Sequence, residues 1–124
     1  MLIKEIMIPE EEVEKTRPTE RIVQAKLKMA RNNIGGLPVT DDLNRVIGFI
    51  TLRDISISSV PAYFRVEEIM SENLVCKKTD SKVEEAINVM LETGLQRIPI
   101  VNEKKELQGL ITQTSILELA RNLV

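Results

Sequence analysis

The feature that most constrains this chain is that it repeats itself. Gly48-Phe49-Ile50-Thr51 recurs 61 residues later as Gly109-Leu110-Ile111-Thr112, and Leu37-Pro38-Val39 recurs at the same spacing as Ile98-Pro99-Ile100. That shift also carries Ala25 onto Ala86 and Met29 onto Met90, in stretches with helical apolar spacing. Upstream, Ile3-Lys4-Glu5-Ile6-Met7 matches Val66-Glu67-Glu68-Ile69-Met70 at a spacing of 63, so the first copy carries two extra residues around Glu10-Glu11-Glu12. A unit of about 60 residues buries too little surface to be comfortable alone, which predicts two copies packed as one module. The copies are expected to divide at residues 1–60, including the start of a connector, and 61–124.

Within the second copy, Ser81 and Glu84 match the S-x-x-E pattern that opens a helix, Gly94 predicts its end, and Ile98–Val101 and Leu107–Thr112 read as a hairpin. A closing helix is expected near Ser115. The first copy predicts the same plan, with Thr19 as the cap, a stop at Gly35-Gly36 and a turn at Asp41-Asp42-Leu43-Asn44. Each copy therefore reads β-α-β-β-α, an α+β fold, joined through 56–65. Met29 and Met90 are expected in the core, and Met7 and Met70 where repeats or chains meet.

Inventory removes much chemistry. The 124 residues include no histidine and one cysteine, Cys76, so Ser-His triads, Cys-His nucleophiles, histidine-ligated zinc and internal disulfides are excluded. With no basic neighbour in view, Cys76 reads as a small core or strand residue. No ligand-dense acidic loop predicts a metal site, and Glu10-Glu11-Glu12 reads as a solvated run. The 17 basic and 19 acidic residues give a net charge of −2, and the aromatics are only Phe49, Tyr63 and Phe64, so neither a nucleic-acid nor an anionic-membrane partner is expected. No apolar run reaches the ~18 residues of a membrane span, and the N-terminus lacks a signal-like apolar stretch, which predicts a cytoplasmic protein.

The paired repeats resemble a tandem of cystathionine β-synthase-type (CBS) domains, the Bateman module. The most diagnostic string is glycine, an apolar strand, Thr or Ser, two residues and Asp, which Gly48-Phe49-Ile50-Thr51-Leu52-Arg53-Asp54 fits in full. The resemblance spans nearly the whole chain. It implies a regulatory module that binds an adenine nucleotide or adenosyl ligand (AMP, ADP, ATP or S-adenosylmethionine) in clefts between repeats, with no catalysis and no required cofactor, reporting to a partner protein as a homodimer joined through helical faces. The alternative is a ligand-free structural or dimerisation module. An enzyme akin to IMP dehydrogenase is disfavoured, because that enzyme's catalytic barrel needs ~250 residues.

Chemistry gives the resemblance specific residues. Asp54 offers acceptors to ribose hydroxyls, Thr51 a nearby hydroxyl, and Arg53 a charge-assisted donor to phosphate, aided by free amides at the helix start. By resemblance, Arg97 approaches the same phosphate, while Leu74, Val75 and Ile98 border the adenine. Asp54 could equally cap the helix, since Asp is a preferred capping residue. The second copy has Ser115 where the first has Asp54, and the first copy has Gly36 where the second has Arg97. A weaker second site is therefore expected around Thr112, Thr114, Ser115, Gly36 and Leu37.

Overall fold

In a computed structural model, which describes residues 1–123, the chain forms two compact units, one of residues 1–13 and 75–124 and the other of residues 14–74. Each unit is built around an antiparallel hairpin. In the 14–74 unit these strands are β2 (Gly36–Thr40) and β3 (Val46–Thr51), and in the other they are β4 (Arg97–Val101) and β5 (Leu107–Thr112). The registers are superimposable: Gly36 pairs with Thr51 as Arg97 pairs with Thr112, and both hairpins carry an irregularity before their last pair. The turns match as well. The Asp41 Oδ1 accepts from the Leu43 and Arg45 amides, and the Asn102 Oδ1 accepts from the Lys104 and Glu106 amides.

The helices are α1 (Ile22–Asn32) and α2 (Leu52–Ser58) in the 14–74 unit, and α3 (Val83–Thr93) and α4 (Gln113–Asn122) in the other. Ala25 and Met29 of α1 pack with Leu37, Val39 and Ile50, and Ala86 and Met90 of α3 pack with Ile98, Ile100 and Ile111. Gly94 ends α3 in a left-handed conformation, φ 77°, and its N–H bonds back to Met90. The stop of α1 is Asn33, φ 52°, rather than Gly35-Gly36, because asparagine also tolerates that region; Gly36 already belongs to β2.

Two other expectations fail for one reason. Thr19 and Ser81 do not cap α1 and α3, whose capping positions are Arg21 and Lys82. Backbone from a distant segment satisfies the helix starts instead: Ile22 N–H donates to Phe64 O, and Val83 N–H to Met1 O. Those carbonyls belong to the leading arm of the opposite sequence repeat. The arm 1–13 packs in the unit formed by the second hairpin, and 64–74 packs in the unit formed by the first. Ile3 N–H bonds Ser81 O at 2.8 Å and Val66 N–H bonds Glu20 O at 2.8 Å, each with its side chain fully buried. The arms then run beside the strands. A two-residue β1 (Ile8–Pro9) pairs with Leu110 and Gly109, while Ser71 forms a single bridge to Phe49. The leading strand of the repeat is thus reduced to a short edge in one copy and one bridge in the other.

Glycine at 48 and 109 follows from this crossing. A Cβ on Gly109 would lie 2.5 Å from Ile8 O and 2.7 Å from Met7 Sδ; one on Gly48 would lie 2.5 Å from Met70 Sδ and 3.2 Å from Ser71 O. Met7 and Met70 therefore sit where one sequence repeat meets the other, as expected. At Gly109 the obstacle is backbone; at Gly48 it is mainly a flexible thioether. Gly109→Ala should cost about 1–3 kcal/mol in urea denaturation and Gly48→Ala clearly less. The reverse order would contradict the arm crossing. Ile3→Ala, which leaves a cavity under the arm, should cost roughly 2–5 kcal/mol by the same measurement.

Candidate functional site

The turn from β3 into α2 is organised by a reciprocal pair. Thr51 is the helix N-cap: its Oγ1 accepts the Asp54 N–H at 3.1 Å, and Asp54 Oδ2 accepts the Thr51 N–H at 3.0 Å. Asp54 is therefore the third helical residue rather than the cap itself. One carboxylate oxygen is committed to the cap, while Oδ1 makes no hydrogen bond among the described residues. A half-buried carboxylate thus keeps acceptor capacity for a diol. The expected free amides are fewer than the sequence suggested, since Leu52 N–H donates to Gly35 O at 3.0 Å and the Asp54 amide is taken by Thr51. Arg53 is exposed on the first turn of α2. Gly36 lies opposite Thr51 in the hairpin and Leu37 beside it is fully buried, so Leu37 offers backbone rather than side chain.

The 75–124 part repeats this construction with different chemistry. Thr112 caps α4, which begins at Gln113 rather than at Ser115, and Ser115 takes the place of Asp54. The Ser115 N–H donates to Thr112 Oγ1 at 3.0 Å, the two hydroxyls lie 3.0 Å apart, and Gln113 N–H bonds Gln96 O as Leu52 does Gly35. Serine preserves the cap and removes the charge. Thr114 is exposed on the first turn of α4.

Arg97 opens β4 opposite Thr112. It is half-buried, and burial pulls its pKa below the ordinary arginine value. No hydrogen bond or carboxylate partner compensates the guanidinium among the described residues. A partly desolvated cation without a counter-ion is costly, and an anion would relieve it. Ile98, next along the strand, is fully buried in its unit's core. Leu74 closes one unit, half-buried, and Val75 opens the other, 37% exposed. The 14–74 unit thus brings together Thr51, Arg53, Asp54, Gly36 and Leu37, and the other brings together Arg97, Ile98, Thr112, Thr114 and Ser115.

Two features had no legible signal in the sequence. Thr16 and Lys77 each make a single parallel bridge alongside a hairpin, to Val39 and Ile100, with their N–H groups on the carbonyls of Pro38 and Pro99. One-residue bridges leave no periodicity to read. Cys76 does have basic neighbours, Lys78 and Lys105, but burial outweighs them and pushes the thiol pKa up, so it is not an activated nucleophile. No helix among the described residues is long and apolar enough to cross a membrane.

Comparison with known proteins places this architecture. The CBS domain family model matches residues 3–58 and again 66–122. Inosine-5'-monophosphate dehydrogenase of Methanocaldococcus jannaschii is 34% identical over 101 residues, covering 82% of this chain and 20% of the enzyme. The chain spans less than two thirds of that relative and of two others, between 20% and 65% of their lengths. CBSX2 from Arabidopsis thaliana, solved in complex with AMP, superposes with a TM-score of 0.89 at 21% identity over 98% of this chain and 97% of that one. The CBS domain pair of MJ0100, solved with 5'-methylthioadenosine and S-adenosyl-L-methionine, gives 0.84 at 23% identity over 100% and 98%. With two family matches on two repeats and a shared fold, the chain belongs to the CBS domain family as a tandem pair.

Proposed function

We propose that this CBS pair is a regulatory module that binds an adenine nucleotide or adenosyl ligand (AMP, ADP, ATP or S-adenosylmethionine) and has no catalysis of its own. Asp54 and Thr51 take the ribose hydroxyls, Arg97 and Arg53 meet the phosphate or other charged tail, and Leu74, Val75 and the Ile98 backbone border the adenine. The observation that carries this reading is the half-buried guanidinium of Arg97 without an anionic partner among the described residues. The spare oxygen of Asp54 and the AMP and adenosyl complexes of similarly folded proteins support it. A weaker second site at Thr112, Thr114, Ser115, Gly36 and Leu37 lacks both the carboxylate and the arginine. Ligand acts by favouring one of two arrangements through differential affinity, and a regulated protein in the cytoplasm reads the result. Two copies of the chain assemble through their helical faces.

The internal repeat supplies its own control. Because Ser115 forms the same cap as Asp54, Asp54→Ser should leave the melting temperature of the ligand-free protein close to wild type while weakening adenosine and AMP alike, by about tenfold or more in calorimetric titration. Arg97→Ala should spare adenosine and weaken AMP by roughly 10- to 100-fold, the loss of a charge-assisted contact. Wild-type affinities in both variants would remove these residues from the site. If AMP, ATP and S-adenosylmethionine all fail to raise the melting temperature, the ligand-free interaction module becomes the better reading; at a hundred times its dissociation constant a ligand adds ~2.7 kcal/mol.

A further inference from the structure

One flank of α1 faces a groove of about 480 Å³ that shares no residue with the nucleotide site proposed above. The helix lines it with Gln24, Leu27, Lys28 and Arg31, whose spacing puts them on one face, and the preceding segment adds Glu14 and Glu20. The buried face of α1 is a different one, Ile22, Ala25 and Met29, and the side that meets Leu52 of α2 carries Lys26 and Ala30. A groove of this volume suits a small molecule.

A fixed carboxylate lines this groove. Glu20 Oε1 accepts from Thr16 Oγ1 and from the Arg17 N–H, both at 3.1 Å, and from Lys28 Nζ at 3.5 Å, while Lys28 Nζ also donates to Lys15 O at 2.7 Å. Glu20 Oε2 makes no hydrogen bond among the described residues. Arg31 and Glu14 are exposed, line the same groove, and have no hydrogen bond or ion pair among the described residues, with each other or with any other group. Nothing in the fold requires these charges. In the other repeat the aligned positions hold Ser81 for Glu20, Val89 for Lys28, Val75 for Glu14 and Glu92 for Arg31, and Val89 packs against its unit's core. A half-buried ion pair is seldom worth more to stability than a valine that packs, so the polar set in the first repeat calls for another role.

We propose that this groove binds a small zwitterion of the amino-acid class, its ammonium on Glu20 Oε2 and Glu14, its carboxylate on Arg31, and its carbon skeleton against Leu27, which is 48% exposed. A simple anion would meet repulsion from Glu14 and Glu20, and a simple cation would meet it from Lys28 and Arg31. A ligand that carries both charges answers both sets, each through a charge-assisted hydrogen bond. The oxygen that receives the ammonium is held in place before binding, since its partner oxygen is already fixed by three donors.

Thermal unfolding of the full chain with each proteinogenic L-amino acid in turn, at about 10 mM, tests this. At least one should raise the melting temperature. Its N-acetyl and carboxamide derivatives, each lacking one charge, should bind at least about tenfold more weakly in calorimetric titration. Arg31→Gln, at an exposed side chain without a partner among the described residues, should weaken that amino acid by about tenfold or more and leave AMP at its wild-type affinity. Glu20→Gln should act alike, because its amide oxygen still accepts from Thr16 and Arg17, and Glu92→Gln in the other repeat should change nothing. Failure of every amino acid to stabilise the protein, equal binding of the blocked derivatives, or wild-type affinity in Arg31→Gln would each overturn the proposal. A protein that binds AMP but no amino acid overturns this site and leaves the nucleotide reading standing.

Discussion

The fold depends on a reciprocal exchange of backbone between the two repeats. Each hairpin-and-helix unit is completed by the leading arm of the other repeat, which buries one β-branched side chain, Ile3 or Val66, and supplies a carbonyl, Met1 O or Phe64 O, to the first amide of a helix. Orphan amides at a helix start must find partners. Here they find them in chain from the opposite copy, so neither repeat folds to completion by itself. This explains why a unit of about 60 residues recurs as a pair, and why glycine stands where each arm crosses a strand.

On this shared frame the duplicated turns have been used differently. Thr51–Asp54 and Thr112–Ser115 are the same capping device with nearly the same geometry. A cap needs only one acceptor, so serine and aspartate serve it equally, and the structural role does not explain the carboxylate at 54. What aspartate adds is a second oxygen and a charge. Arginine at 97 adds a guanidinium where the first repeat has glycine. In the proposed function the carboxylate serves the ribose and the guanidinium the charged tail, and each is absent from the equivalent position of the other repeat. The helix surfaces have diverged as well, with buried positions kept and Arg31 of one repeat standing where the other has Glu92.

Much of this was legible from residues alone because repetition is a property of the chain itself. The hairpins, the glycine that ends α3, the core role of Met29 and Met90 and the strand-to-helix turn carrying Thr51, Arg53 and Asp54 all follow from local pattern and spacing. The helix caps did not follow. Ser81 and Glu84 satisfy a local rule, yet the Ser81 amide bonds Lys78 O and α3 starts at Val83, whose amide bonds Met1 O, more than 80 residues away along the chain.

The sequence by itself determined the α+β class, the twofold internal repeat, the absence of histidine chemistry and the identity of the residues at each turn, because these depend on composition and short-range periodicity. Only the tertiary structure decided which arm completes which unit, that Asp54 spends one oxygen on its own helix, that Arg97 lies half-buried without a counter-ion among the described residues, and that burial outweighs two lysines at Cys76. The arms, Arg97 and Cys76 are settled by burial under segments far along the chain, which leaves no mark on local pattern; the Asp54 bond is local, but the pattern of residues alone does not tell a third helical residue from a cap.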